Sequence, residues 1–335
     1  MKILVTGGTG YIGSHTAVEL INSGYEVVIA DNLYNSEENI KNKIEAITGK
    51  KVALYVCDIA DKEAMKRVFG ENEIGAVIHF AAYKAVGESC QKPLMYYENN
   101  IAGTLSLCES MSRAGCRTLV FSSSATVYGT SQKLPFTEDS PVSSTNPYGT
   151  TKMINETLLG DLHKFAPDWN ISLLRYFNPI GAHESGLIGE KPNGIPNNIM
   201  PYICLVANGT LPKLNVFGND YNTPDGTGVR DYIHVVDLAK GHIAALEAMK
   251  GKSGYFDIFN LGTGNGFSVL QLVNAFEKAN GIKIPYQICA RRPGDIASSY
   301  ADASKALRVL GWKAERDIYD MVKSSWNFYS QSAEK

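Results

Sequence analysis

The stretch Lys2-Ile3-Leu4-Val5-Thr6-Gly7-Gly8-Thr9-Gly10-Tyr11-Ile12-Gly13-Ser14 decides the fold. A short apolar run stops at a cluster of glycines, and a helical pattern follows through Leu20 and Ile21 to Asn22-Ser23-Gly24. That order is strand, glycine loop, helix. Two glycine patterns overlap in the loop, Gly7-x-x-Gly10-x-x-Gly13 and Gly8-x-Gly10-x-x-Gly13. Glycine lets the backbone turn tightly and approach a pyrophosphate, which then sits on the positive end of the next helix. A second apolar run, Tyr25-Glu26-Val27-Val28-Ile29-Ala30, ends at Asp31. This carboxylate falls about 20 residues after the glycines, where an acid accepts hydrogen bonds from an adenosine ribose and repels a 2′-phosphate. NAD is therefore expected in preference to NADP. No Lys-Ser/Thr pair follows Gly13, which excludes a triphosphatase phosphate loop.

Outward from this unit, apolar runs recur at Val52–Cys57, Ala76–Phe80, Thr118–Phe121 and Ile171–Tyr176, with helical patterns near 61–69, 94–114 and 148–164. Near-continuous apolar strands separated by helices predict an α/β fold, a Rossmann-type doubly wound parallel sheet covered on both faces. After Pro179 the texture changes. Residues 180–235 are rich in Gly, Pro and Asn, and helical patterns resume at 236–250, 268–280 and 303–310. The expected division is a cofactor-binding domain over 1–178 and a smaller C-terminal substrate-binding lobe over 179–335, some of whose segments pack back on the first domain.

The chain has 335 residues, 44% hydrophobic and 20% charged, enough to bury a large core in one or two domains. Net charge is −2 and no basic block occurs, which argues against nucleic acid and anionic membrane as partners. The apolar run after Met1 breaks at Gly7 with no cleavage site, unlike a signal peptide. No apolar stretch approaches the ~18 residues a membrane span needs. The six cysteines form no Cys-x-x-Cys pair and read as reduced cytoplasmic thiols. The six histidines form no His-x-x-x-His pair, so no metal site is expected.

Tyr148 and Lys152 stand four apart in Tyr148-Gly149-Thr150-Thr151-Lys152, so a helix puts both on one face. An ammonium beside a phenol stabilises the phenolate and lowers its pKa from about 10 toward neutrality, worth about 4 kcal/mol. That tuning suits a general base. Spacing alone is weak, because 18 tyrosines produce this pattern about once by chance. Tyr319 and Lys323 indeed repeat it, on what reads as an ordinary amphipathic helix. Position separates the two pairs. Ser122-Ser123-Ser124 end a strand, and Tyr148 opens a helix soon after, behind Asn146-Pro147. Ligands of parallel sheets bind at such carboxyl ends.

Thr6 through Gly13, the Tyr148/Lys152 pair and Ser124 together resemble the extended short-chain dehydrogenase/reductase family. Further segments narrow the resemblance to members that invert C4 of UDP-hexoses. They are Asp31-Asn32-Leu33, Lys84 to Ser89, Ser122 to Gly129, Leu174 to Pro179, Gly194 to Asn198, Phe217 to Tyr221 and Gly228 to His234. The match covers essentially the whole chain. It implies interconversion of UDP-glucose and UDP-galactose through a 4-keto intermediate, with NAD tightly bound and never released. Tyr148 would take the 4-hydroxyl proton, Lys152 would hold the nicotinamide ribose and keep the phenol acidic, and Ser124 would bond the 4-oxygen. A homodimer through the helices near 94–114 and 148–164 is also implied.

By the same resemblance, Gly7, Gly10, Tyr11, Ile12, Gly13, Asp31, Asn32, Leu33, Tyr34, Asn35, Ser36, Asp58, Ile59, Phe80, Ala81, Ala82, Tyr83, Lys84, Asn99 and Phe177 would line the cofactor with the catalytic three. Asp58 could accept the adenine amino group or cap the helix at 61–69, and both readings stay open. Lys84, Asn178, Asn198, Ile199, Asn215, Phe217, Arg230, Tyr232, Val269, Arg292, Asp295 and Ser299, with Ser124 and Tyr148, would take the UDP-sugar. The planar arginine forks suit a diphosphate, and Asp295 suits a ribose hydroxyl. Ala82 stands where a glycine can occur in the family.

Counting from Arg292-Pro293-Gly294-Asp295 puts Ser299 where some members carry tyrosine. A small residue facing the sugar's 2-substituent leaves space for an acetamido group, so the N-acetylated UDP-hexoses are expected as substrates too. The blander reading is a surface serine, and a one-residue slip would place Tyr300 at this gate. Three other functions compete. A 4,6-dehydratase needs an Asp-Glu pair after the serine, but Ala125-Thr126 follow Ser124. A dehydrogenase would release its cofactor, and a dinucleotide sensor would have lost the intact Ser124, Tyr148 and Lys152.

Overall fold

The computed structural model describes residues 1–130, 133–292 and 294–333, with side chains through Gln331. Pro293, one of the residues from which Ser299 is counted, lies outside them. The first half alternates strand and helix: β1 (Lys2–Thr6), α1 (Tyr11–Asn22), β2 (Glu26–Asp31), α2 (Ile40–Thr48), β3 (Ala53–Val56), α3 (Lys62–Gly70) and β4 (Ile74–His79). Then come α4 (Val86–Gln91), α5 (Pro93–Tyr97), α6 (Gly103–Arg113), β5 (Thr118–Ser122), α7 (Pro147–Phe165) and β6 (Asn170–Tyr176). The second half holds β7 (Asn178–Ile180), α8 (Ile199–Ala207), β8 (Leu214–Phe217), β9 (Val229–His234), α9 (Val235–Met249) and β10 (Phe256–Leu261). It closes with β11 (Gly266–Ser268), α10 (Val269–Asn280), β12 (Tyr286–Cys289), β13 (Ser298–Ser299), α11 (Ser304–Leu310) and α12 (Ile318–Ala333).

Seven strands form one sheet in the order β10-β6-β5-β4-β1-β2-β3, every pairing parallel. This is the expected Rossmann-type sheet. Its direction of growth reverses between β1 and β4, the switch point where such sheets bind ligands. Strand alternation assigns the two faces. Ile3 and Val5 join Val27 and Ile29 in the core cluster that contains Val18 of α1 and Leu238 of α9. Leu4 joins Val28 in the opposite cluster with Met65 of α3, Leu107 of α6 and Leu159 of α7. Both faces are dry, which is why the strands read as unbroken apolar runs rather than alternating ones.

Part of this sheet comes from late in the chain. β10 lies beside β6, with Phe256 opposite Ile171, and α9 packs on α1. The region 180–235 is less loop-built than its composition predicts, since it contains β7, β8, β9 and α8. These strands are three to six residues long, too short to print a period. β9 is flanked by β7, β11 and β13, and β8 pairs with β12. A second core, with Met200, Ile203, Leu272, Phe276 and Val322, joins α8, α10 and α12. The helix expected over 94–114 is present but interrupted. A π turn at Glu98–Ala102 separates α5 from α6 and carries Asn99 and Asn100. Such turns re-aim side chains and are frequent at functional sites.

Candidate active site

Gly7 ends β1 with φ of 69°, and a Cβ there would lie 2.8 Å from the Ala81 nitrogen. A Cβ at Gly13 would stand 2.2 Å from the Gly7 carbonyl oxygen, so α1 is drawn tight against the loop. Neither position admits a side chain. Gly10 is the N-cap of α1, no side chain bonds its first amides, and its first turn holds no acid. Those amides and the positive helix end suit a pyrophosphate. Asp31 accepts the Thr9 amide at 3.0 Å on one oxygen, and the Leu33 amide at 2.9 Å and Ser36 hydroxyl at 3.2 Å on the other. Three donors leave about one of the carboxylate's four acceptor sites for a ribose hydroxyl. The turn holds Leu33 at φ of 59°, a strained value for a branched side chain.

Around this cradle, Asn32 donates to Asp58 at 3.1 Å, and Asp58 also accepts the Ala60 amide at 2.8 Å. The cap of α3 is Asp61, which accepts the Glu63 and Ala64 amides at 3.0 Å, so the capping role left open for Asp58 belongs to its neighbour. Tyr34 and Tyr83 face each other at 4.6 Å between ring centres, Asn35 is exposed, and Ile59 is buried beside Gly103. Phe80, Ala81, Ala82, Tyr83 and Lys84 follow β4 and are half-buried except for the exposed Lys84. Tyr11 donates to the Gly181 carbonyl at 2.6 Å, and Ile12 packs on the core. Phe177, beyond β6, is buried with Tyr128 and Phe136. These residues fit a dinucleotide: the glycines clear its path and the free amides and acid match its phosphates and ribose.

The reactive group forms where β5 meets α7. Asn146 caps α7 by accepting the Gly149 amide at 2.9 Å, with Pro147 in the first turn, and so fixes where Tyr148 emerges. Ser124 accepts the Thr126 amide at 3.3 Å and the Thr126 hydroxyl at 2.9 Å. With both acceptor sites used, its own proton is left to face the Tyr148 phenol, whose ionisation the serine favours. Lys152 is 3% exposed and donates to the Ser122 carbonyl at 2.6 Å. Burial pushes the Tyr148 phenol above its ordinary value, and Ser124 opposes that. Burial also pushes Lys152 down to about 7, against the pull of Glu156. Lys152, expected to lower the phenol with the cofactor in place, is not among the groups that shift Tyr148 here. Its ammonium is committed to Ser122 and lies 6.0 Å from the Tyr148 ring centre. Tyr319 and Lys323 are both exposed on α12, outside the site.

The substrate half collects on the second body. Arg230 donates to the Val229 carbonyl at 2.8 Å and the Ile296 carbonyl at 2.9 Å, with Asp295 at 3.8 Å. Arg292 donates to Asp295 at 3.0 Å and lies 4.9 Å over the Phe217 ring, so one carboxylate bridges two arginines. Asn215 accepts from Gln287 at 2.7 Å on β8, Val269 opens α10, and Tyr232 is buried with its phenol pushed up to about 12 by burial. Asn178 is exposed on β7 opposite Tyr232. Asn198 precedes Ile199 at the start of α8 and donates to Glu190 at 2.6 Å. Ser299 pairs in register with Arg230 and is 9% exposed, which removes the surface-serine reading. The Tyr300 ring turns toward Gly266, where a Cβ would stand 3.3 Å from it. Alternation therefore puts Ser299 on the other face.

Comparison with known proteins decides the family. A curated relative, UDP-glucose 4-epimerase of Bacillus subtilis, is 58% identical over 332 residues, covering 99% of this chain and 98% of its own. The chain belongs to the UDP-glucose 4-epimerase family. It is accordingly an enzyme of the extended short-chain dehydrogenase/reductase type. The crystal structure of the family member from Stenotrophomonas maltophila, with bound NAD and formylated UDP-arabinopyranose, matches with a TM-score of 0.98 at 50% identity, covering 100% of this chain and 99% of that one. The member from Bifidobacterium longum, in complex with NAD+ and UDP, matches with a TM-score of 0.95 at 55% identity, covering 99% and 98%. The profile of the GDP-mannose 4,6 dehydratase family also matches residues 4–325.

Two residues of this family site escaped the sequence reading. Asn100 is buried, accepts the Tyr83 amide at 2.8 Å, and donates to the Tyr83 carbonyl and the Thr151 hydroxyl, each at 3.0 Å. It ties the strand-end loop to α7. Glu190 accepts both Asn198 and Lys84, the latter at 3.1 Å, and so links two expected ligand residues from separate halves. Nothing in local composition marks either residue, because their partners lie far away in the chain.

Proposed function

We propose that this enzyme interconverts UDP-glucose and UDP-galactose by removing hydrogen from C4 and returning it to the opposite face. The observation that carries the reading is the joint burial of Ser124, Tyr148 and Lys152 at the carboxyl edge shared with the glycine cradle. Bound NAD would supply the hydride acceptor and donor. Gly7, Gly10, Gly13 and Asp31 would hold its pyrophosphate and ribose. The family members solved with NAD support that assignment. Tyr148 takes the proton of the 4-hydroxyl while Ser124 holds the 4-oxygen, giving a 4-keto sugar. Lys152 would exchange its Ser122 bond for a cofactor ribose hydroxyl and so bring its charge toward the phenol. After the sugar turns, Tyr148 returns the proton. The net reaction is redox-neutral, so the cofactor stays bound.

Arg230, Arg292 and Asp295 would grip the diphosphate and uridine ribose, and the small, buried Ser299 would admit N-acetylated UDP-hexoses. We also propose a cytoplasmic homodimer. Leu94 and Leu105 are exposed on α5 and α6, the helices where the family resemblance places the contact. The dehydratase reading is disfavoured because Ala125 and Thr126 occupy the turn after Ser124, and Thr126 serves Ser124 rather than acting as an acid. The decisive experiment incubates purified protein with UDP-galactose and no added NAD. UDP-glucose should form without accumulation of NADH. NADH rising with turnover would instead make the enzyme a dehydrogenase.

A further inference from the structure

Helix α7 presents Tyr148, Lys152 and Glu156 at four-residue intervals, one above the other. Each stands level with one of the three consecutive serines leaving β5. Lys152 donates to the Ser122 carbonyl, Glu156 accepts the Ser123 hydroxyl, and Tyr148 stands at the level of Ser124, whose hydroxyl favours its ionisation. The third rung is built differently from the first two. Arg175 of β6 clamps the Glu156 carboxylate twice, Nε to one oxygen at 2.9 Å and Nη2 to the other at 2.6 Å. Its Nη1 continues to the Tyr128 hydroxyl at 3.2 Å and the Glu138 carbonyl at 3.1 Å. Tyr128 ends the short 3-10 turn that Ser124 begins. The pair therefore grips the reactive serine's segment at both ends, at Ser123 and at Tyr128.

Energetics point away from simple ballast. Glu156 and Arg175 are only 8% and 4% exposed, and desolvating two charges offsets most of their attraction. An apolar pair of similar volume would hold α7 against β6 at least as well. What apolar side chains cannot do is hold the Ser123 hydroxyl and, through it, the side of the strand end that leads into Ser124. We propose that Glu156, held by Arg175, is a positioning residue for the C4 chemistry, setting the separation between Ser124 and Tyr148. The same carboxylate opposes the burial that lowers the Lys152 ammonium. This inference rests on Ser124, Tyr148 and Lys152 being the reacting groups.

Ser123→Ala and Glu156→Gln test the rung, and Glu156→Leu/Arg175→Met tests the pair. Ser123→Ala should lower kcat several-fold and Glu156→Gln about tenfold or more, because slight misplacement of reacting groups is costly. KM for UDP-galactose and the NAD content of the denatured protein should stay unchanged. The double variant should regain the wild-type Tm while kcat remains low. A double variant that regains both Tm and kcat overturns the proposal, as does a Ser123→Ala enzyme within twofold of wild-type kcat. Ser123→Ala leaves the ion pair intact, so it decides the matter even where the charge variants fail to fold. Tyr148→Phe runs alongside as a control. Full activity there would sink the underlying reading rather than the positioning role.

Discussion

Burial by itself would make Tyr148 a poor base, since a desolvated phenolate is costly. Ser124 is the side chain that works against this. Tyr148→Phe should therefore lower kcat about 10²–10⁴-fold, the usual contribution of a general acid/base, while UDP-sugar still binds. Tyr319→Phe, changing an exposed phenol of identical spacing to lysine, should leave the kinetics untouched. Equal losses at the two tyrosines would put the reactive phenol on the wrong helix. At Ser299, a tyrosine would overfill a buried position at a cost of about 1–3 kcal/mol for any larger sugar seated there. Ser299→Tyr should suppress turnover of UDP-N-acetylglucosamine selectively and spare UDP-galactose. A wild-type enzyme inert toward the N-acetylated sugar ends that idea.

At the scale of elements, α7 carries the proposed chemistry, and Asn146 with Pro147 sets its start. Asn146→Ala removes the bond to the Gly149 amide and should cost about 1 kcal/mol, visible as a lower denaturation midpoint. Activity should fall further than that loss implies, because Tyr148 lies in the first turn. A midpoint equal to wild type would mean that Pro147 alone suffices to start the helix. The sequence showed this element clearly, through Asn146-Pro147 followed by the 148–164 pattern. It showed β1, α1 and β2 equally well, since each is a local period bounded by glycine or acid. The π turn at Glu98–Ala102 left no such trace. It carries Asn100, whose bonds to Tyr83 and Thr151 reach 17 and 51 residues along the chain. The strands β7, β11 and β13 escaped for another reason. Two or three residues hold no period, and only pairing with β9 makes them strands.

The whole molecule also commits its histidines. Burial pushes His15, His79 and His234 down to about 3 and His242 to about 4, so all four are neutral when folded. Unfolded, they take up protons below about pH 6.5. Stability from these groups is complete above that value and lost as pH falls toward their folded pKa values. Each costs about 1.4 kcal/mol per pH unit in that window, and the four together about 5 kcal/mol. Urea midpoints measured from pH 7 to 5 should fall steeply, and a flat profile would show that these rings are protonated in the native state. None of this was visible in the sequence, where the histidines are scattered singly. The chain by itself determined the Rossmann unit, the glycine loop after its first strand and the family, and it singled out Tyr148 over Tyr319 as the candidate base. The unit and its loop rest on local patterns, the preference for Tyr148 on its place after a strand end, and the family on a series of short segments spread along the chain. Only the tertiary structure decided that Asp61 and not Asp58 caps α3, that Lys152 rests on Ser122, and that Ser299 is buried opposite Arg230. Each depends on contacts between strands and helices distant in sequence, and on burial, which no local spacing encodes.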